Sequence, residues 1–179
     1  TLHGGMRAAC GTFFVFADYM KPVVRMAALM EQPVIFIWSH DSFRVGEDGP
    51  THEPVEQEAQ IRLLEHLHNH SGRRALQVFR PADVHETTVA WQMAMENLHN
   101  PTALILSRQN IQDLPSPTYD RALQVARGAY VVSDTTPAGE TPTLTLIASG
   151  SEVSTLEQAA ELLKEKALKL RIVSVPSEG

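Results

Sequence analysis

Apolar residues in this chain fall into two alternating patterns: short uninterrupted runs, and longer stretches in which they recur every three or four positions. Residues 34–38 (V-I-F-I-W) follow Pro33 without a polar break. Such a run suits a strand covered on both faces rather than an edge strand of alternating polarity. It ends at Ser39-His40. Residues 103–106 (A-L-I-L) repeat the pattern after Asn100-Pro101 and end at Ser107-Arg108, while residues 144–147 (L-T-L-I) end at Ala148-Ser149-Gly150. Residues 76–79 and 170–175 are further candidate strands. Helical periodicity occupies residues 16–30, 83–98 and 152–164, with Val23, Val24, Met26, Ala27 and Leu29 marking the first of these.

Strands alternating with helices of this length predict an α/β fold: βαβ units and a mostly parallel sheet flanked by helices. In such sheets ligands gather beyond the carboxyl ends of the strands, which singles out His40 and Arg108. The densest breaker-rich stretches are 111–118 (I-Q-D-L-P-S-P-T), a candidate linker, and 134–142 (D-T-T-P-A-G-E-T-P), a candidate surface loop. The first of them divides the chain into a domain at 1–118 and an incomplete second α/β unit at 119–179. In the latter, residues 144–175 read as strand, Gly-Ser-Glu turn, helix and strand. The start on Thr1 without methionine and the stop at Gly179, directly after an apparent buried strand, both read as cut ends.

Charge and composition remove several function classes. A net charge of −6 leaves no basic stripe to neutralise a nucleic-acid backbone. One cysteine, Cys10, excludes an intramolecular disulfide framework and suits a reducing, cytoplasmic setting. Eight histidines without paired cysteines do not make a structural zinc site. No apolar run is long enough to span a membrane, and the start lacks the layout of a signal peptide.

Phe13, Phe16 and Tyr19 recur at a spacing of three and fall near one face of a helix or its leading turn. They are either core packing or a cradle for a flat heteroaromatic ring, with Tyr19 adding a hydroxyl. Beyond the strand at 34–38, Ser39-His40-Asp41-Ser42 is followed by Gly46-Glu47-Asp48-Gly49-Pro50-Thr51-His52-Glu53-Pro54. A loop so rich in acids, glycines and histidines reads as a binding loop in which His40, Asp48 and His52 bind hydroxyls or move protons. The plainer reading is a turn at 48–50 with Thr51 capping the next helix. Arg108, in Ser107-Arg108-Gln109-Asn110, can fork onto a phosphate or carboxylate, or can form a surface ion pair. Gly4-Gly5 and Gly150 lack the spacing of a nucleotide-phosphate loop and read as turn glycines.

Leu2-His3-Gly4-Gly5, Thr12-Phe13, Val24-Arg25-Met26, His40-Asp41-Ser42, the run 46–52, Arg80-Pro81-Ala82-Asp83, Ser107-Arg108-Gln109-Asn110 and Gly150-Ser151-Glu152-Val153 resemble transketolases in order and spacing, over nearly the whole chain. The resemblance implies a thiamine-diphosphate-binding fold. It further implies transfer of a two-carbon ketol unit from a ketose phosphate to an aldose phosphate in the pentose phosphate pathway, by a homodimer. By resemblance, Phe13, Phe16 and Tyr19 surround the cofactor's aminopyrimidine ring, and His40 and Arg108 hold the sugar phosphate. Asp48 reads a substrate hydroxyl, and His52 lies near the reacting carbons as catalytic residue. The Mg or Ca ion, the diphosphate site and the glutamate that activates the cofactor belong to parts not contained here, so the fragment alone is expected to be inactive. A dihydroxyacetone synthase shares the motifs, and a non-catalytic assembly module of the same fold is a further alternative. Two departures stand out: Phe43-Arg44 where the family has a small aliphatic residue and glycine, and a long polar stretch at 66–74.

Overall fold

The computed structural model describes residues 1–41, 44–114 and 119–179. Ser42 and Phe43 of the expected binding loop, and 115–118 of the expected linker, lie outside the described residues. In chain order the elements are β1 (Ala9–Phe13), α1 (Ala17–Leu29), β2 (Ile35–Ser39), α2 (Gln57–Glu65), β3 (Gln77–Phe79), α3 (Val84–Glu96), β4 (Thr102–Ile105), α4 (Tyr119–Ala122), β5 (Tyr130–Asp134), β6 (Leu144–Ala148), α5 (Glu152–Leu163) and β7 (Leu170–Ser174). They form two compact units: Thr1–Phe79 with Ala90–Asn110 and Gly179, and Arg80–Val89 with Ile111–Glu178. The division expected near residue 118 placed 80–89 in the first part, whereas packing groups them with the second.

In the first unit the strand order is β1-β2-β4-β3, all parallel. The uninterrupted apolar runs occupy the two inner places, since β2 and β4 are flanked by strands on both edges and need apolar side chains on both faces. Phe36, Trp38, Ala103 and Ile105 pack with Phe14, Val24, Ala27 and Ile61 in one buried cluster. The Trp38 indole, fully buried, donates to the Met20 thioether at 3.3 Å, which satisfies its single polar group. The sequence pattern did not announce β1 (A-C-G-T-F), because its residues are mostly exposed and Gly11 interrupts it. That glycine has a steric reason: a Cβ there would stand 2.9 Å from the Ile37 carbonyl oxygen of β2.

At the opposite edge, β3 presents backbone groups that no further strand pairs among the described residues. Two charged residues of α2 take them up. Glu65 accepts from the Val78 N–H at 3.1 Å, while Arg62 donates to the Val78 carbonyl at 3.2 Å and to Glu65 itself at 3.2 Å. Glu65 and Arg62 are both buried. An edge strand is thereby closed by side chains instead of being left open to another chain.

In the second unit β6, α5 and β7 make the anticipated parallel βαβ unit, with β7 between β6 and β5. β5 pairs antiparallel with β7 and carries a register shift between Val131 and Ser133. Asp134, expected to open a loop, instead ends this strand, where its carboxylate accepts from the Arg171 side chain at 2.7 Å. Two motifs distant in sequence meet here: buried Arg80 donates to Ser149 Oγ at 3.1 Å and to Glu152 at 2.8 Å. Gly150, with φ of +59°, leaves room for that guanidinium, because a Cβ would approach Arg80 Nε to 2.9 Å.

Asp83 and Glu86 open α3 as a reciprocal cap. The Glu86 N–H donates to Asp83 Oδ1 at 2.8 Å, and Glu86 Oε2 accepts from the Ala82 N–H at 2.7 Å. The other Glu86 oxygen accepts from the Tyr130 and Ser174 hydroxyls, both at 2.7 Å. Burial pushes the Glu86 carboxyl above its usual range despite these donors, and burial with the neighbouring Glu86 raises the Tyr130 hydroxyl.

Candidate functional site

The first unit gathers the residues named from sequence at the carboxyl ends of its strands. β1 ends at Phe13, which pairs in register with Ser39, the last residue of β2. His40 follows in a left-handed conformation, φ +61°, uncommon outside glycine, and its ring stacks on Phe13 at 3.7 Å. The rings continue outward without a break. Phe13 faces Phe16 at 6.2 Å, Phe16 faces Tyr19 at 6.4 Å, and His52 stands edge-on to Phe13 at 6.0 Å and to Phe16 at 5.4 Å. Phe13 and Phe16 are half-buried, and Tyr19 is 81% exposed. The apolar stripe is therefore an open wall rather than closed core: Phe14, between the ring positions, is the aromatic that points inward, fully buried.

The charged part adjoins this wall. Asp48 Oδ2 lies 3.6 Å from His40 Nε2 and 3.8 Å from Arg108 Nε. One carboxylate thus stands between the two groups at the ends of the parallel, adjacent strands β2 and β4, and His40 and Arg108 share one edge of the sheet. The loop that carries Asp48 is anchored by buried Val45 and bends at Gly46 and Gly49, which have φ of +89° and +74°. Gly46 lies against the Arg108 guanidinium, where an added Cβ would make ordinary van der Waals contact at 3.4 Å, so it is the positive φ that favours glycine there. Arg44 has φ of +61°, a left-handed state that glycine adopts at less cost than arginine.

Thr51 does not cap a helix. α2 begins six residues later at Gln57, and Thr51 Oγ1 lies 2.9 Å from His52 Nδ1. Ser39 Oγ stands in the same relation to His40 Nδ1, also at 2.9 Å. Neither hydroxyl was legible as a site residue, because serine and threonine beside histidine are ordinary in turns. Gln109 was missed as well: both polar atoms of its side chain are buried with no hydrogen-bond partner among the described residues.

The wall offers flat faces to a heteroaromatic ring, and the charged groups beside it offer both donors and an acceptor to a polyhydroxylated anion. For a metal ion the donors do not converge: among the described residues no group of three or more His, Cys, Asp and Glu side chains is placed to hold one. A cavity of about 700 Å³ in the second unit, lined by Arg121, Glu157, Lys164 and Lys169 among others, includes none of the residues named from sequence. Among the described residues no helix is long and apolar enough to cross a membrane.

Known proteins share this arrangement of sequence and fold. The chain is 48% identical over 177 residues to a transketolase of Bacillus subtilis and 47% identical over 176 residues to a probable transketolase of Streptococcus pneumoniae, covering 98% of this chain and 25% and 24% of those proteins. It therefore spans about a quarter of the length of the curated relatives it matches. Among solved structures, the transketolase from Leishmania mexicana superposes with a TM-score of 0.79 at 40% identity over 97% of this chain and 23% of that one. A Pichia stipitis transketolase in complex with sedoheptulose 7-phosphate gives 0.79 at 34% identity, over 95% of this chain and 23% of that one. Residues 128–179 match the family described as the transketolase-like C-terminal domain. Residues 1–113 match the one described as the transketolase pyrimidine-binding domain, and the chain belongs to the transketolase family.

Proposed function

We propose that the edge of the first sheet is the substrate and cofactor wall of an enzyme that transfers a two-carbon ketol unit from a ketose phosphate to an aldose phosphate in the pentose phosphate pathway. The observation that carries this reading is the placement of Asp48 between His40 and Arg108, next to the ring wall of Phe13, Phe16 and Tyr19. Thiamine diphosphate, when bound, supplies the nucleophile and the electron sink for exchange of a carbon–carbon bond. Phe13 and Phe16 offer apolar faces to its aminopyrimidine ring, and the exposed Tyr19 hydroxyl offers a polar contact at the outer end. Arg108 and His40 donate to the sugar phosphate, and Asp48 accepts from a sugar hydroxyl. His52, edge-on to both phenylalanines, passes a proton to or from the sugar.

No residue of this chain is assigned to the divalent cation, and the chain by itself is expected to be inactive. The test is an assay of the full-length protein with xylulose 5-phosphate and ribose 5-phosphate. Formation of sedoheptulose 7-phosphate that depends on thiamine diphosphate supports the reading, and its absence sinks it. Formaldehyde preferred over ribose 5-phosphate as acceptor would move the assignment to a dihydroxyacetone synthase.

A homodimer is part of the same proposal. Tyr19, Val23 and Met26 recur on one face of α1, with Met30 directly beyond its end, and all are exposed, a stripe suited to burial against a second subunit. Sedimentation of the full-length protein carrying Val23→Glu and Met26→Glu is expected to show monomers; an unchanged dimer would place the interface elsewhere.

A further inference from the structure

Around His40 every ring atom that can hydrogen-bond has a neighbour. Nδ1 lies 2.9 Å from Ser39 Oγ, and Nε2 lies 3.6 Å from Asp48 Oδ2. A neutral imidazole carries one proton and one lone pair on its two nitrogens, and the partner of one nitrogen decides which form the other takes. A carboxylate beside Nε2 favours the proton on that atom. The Nδ1 lone pair is then left to accept, and a hydroxyl can donate to it without bringing a charge into the site.

We propose that Ser39 is a positioning residue whose hydroxyl donates to Nδ1 of His40 and so keeps the ring proton on Nε2, the nitrogen that faces Asp48 and the sugar phosphate. This rests on the phosphate-binding reading of His40. Phosphate oxygens only accept hydrogen bonds, so the ring helps bind an anion when Nε2–H points at it and opposes binding when Nε2 presents a lone pair. The backbone is arranged to hold this geometry. Ser39 is fixed by its pairing with Phe13 across the ladder, the Phe13 ring stacks on the imidazole at 3.7 Å, and the left-handed His40 backbone is a conformation that persists where its surroundings over-determine it.

The experiment has two readouts. Nitrogen-15 correlation spectra of the imidazole side chains, with His40→Gln for assignment, report which ring nitrogen is protonated in the substrate-free protein. The wild type is expected to show His40 protonated at Nε2, Ser39→Ala to show a mixture of both forms, and Ser39→Thr to restore the wild-type spectrum. In the full-length protein, Ser39→Ala is expected to raise KM for xylulose 5-phosphate about two- to tenfold, the effect of one lost hydrogen bond, and to leave KM for hydroxypyruvate in place. Ser39→Thr should again restore it. A wild-type ring protonated at Nδ1, or an unchanged spectrum in Ser39→Ala, overturns the proposal whatever the kinetics show. A changed spectrum with equal KM changes for both donors overturns its second step, the phosphate contact, and with it the role given to His40 above.

Discussion

Half-exposed at the end of β4, Arg108 has two physical readings that one substitution separates. Its guanidinium stands 3.8 Å from Asp48, too long for a direct hydrogen bond, so the pair is a loose surface contact worth little in water. If its task is instead to grip a phosphate, Arg108→Ala in the full-length protein removes a charge-assisted hydrogen bond worth roughly 1.5–3 kcal/mol. The expected outcome is a loss of about tenfold to a hundredfold in apparent affinity for xylulose 5-phosphate, with hydroxypyruvate little affected. Equal changes for the two donors would rule out the phosphate role. The residue identity was legible because an arginine directly beyond an apolar strand is conspicuous. What the sequence did not contain is the carboxylate between Arg108 and His40, which arrives from a loop sixty residues earlier that turns at the positive-φ Gly46 and Gly49.

Among the elements, the edge strand β3 depends on α2 in a way no pattern of apolar positions reveals. Arg62 and Glu65 are 5% and 0% exposed and satisfy both backbone groups of Val78. A buried pair is costly to break because the surviving charge keeps its desolvation penalty. Glu65→Ala is therefore expected to lower stability by about 3–5 kcal/mol in urea unfolding, well beyond the effect of a surface glutamate. Replacing both charges together with apolar residues of similar size removes the uncompensated charge but leaves the Val78 N–H and carbonyl unpaired, so it should recover only part of that loss. A Glu65→Ala effect below about 1 kcal/mol, the range of an exposed pair, would mean that water reaches this corner.

At the scale of the folded molecule, one carboxyl ties stability to pH. Glu86 lies buried among the Tyr130, Ser174 and Ala82 donors, and its pKa is raised by burial, with Asp83 adding to the effect. A carboxyl that holds its proton more tightly when folded than when unfolded contributes stability that is fully present below the unfolded value, about 4.3. That contribution is lost as pH rises through the folded value. Wild-type thermal stability should accordingly fall more steeply between about pH 4.3 and neutrality than that of Glu86→Gln, which cannot ionise there. Parallel profiles for the two proteins would show that the surrounding donors compensate fully for burial.

The sequence by itself determined the fold class and most of the strands and helices. The inner strands β2 and β4 must be apolar on both faces, and α1, α3 and α5 must repeat near 3.6 residues, so these physical requirements are written locally. It also determined that His40 and Arg108 stand beyond strand ends, since they follow the apolar runs of β2 and β4. Tertiary structure decided what those positions mean. β1 and β5 escaped notice because edge strands need only one buried face, and β1 is held by a close backbone approach at Gly11 that no hydrophobic pattern records. Residues 80–89 group with the second unit because Arg80 finds partners in Ser149 and Glu152, Asp83 in Leu114, and Glu86 in Tyr130 of β5 and Ser174 of β7, contacts far apart along the chain. The carboxylate shared by His40 and Arg108 and the charges that close β3 depend on distances between segments. A linear pattern carries the periodicity of burial, but it does not carry those distances.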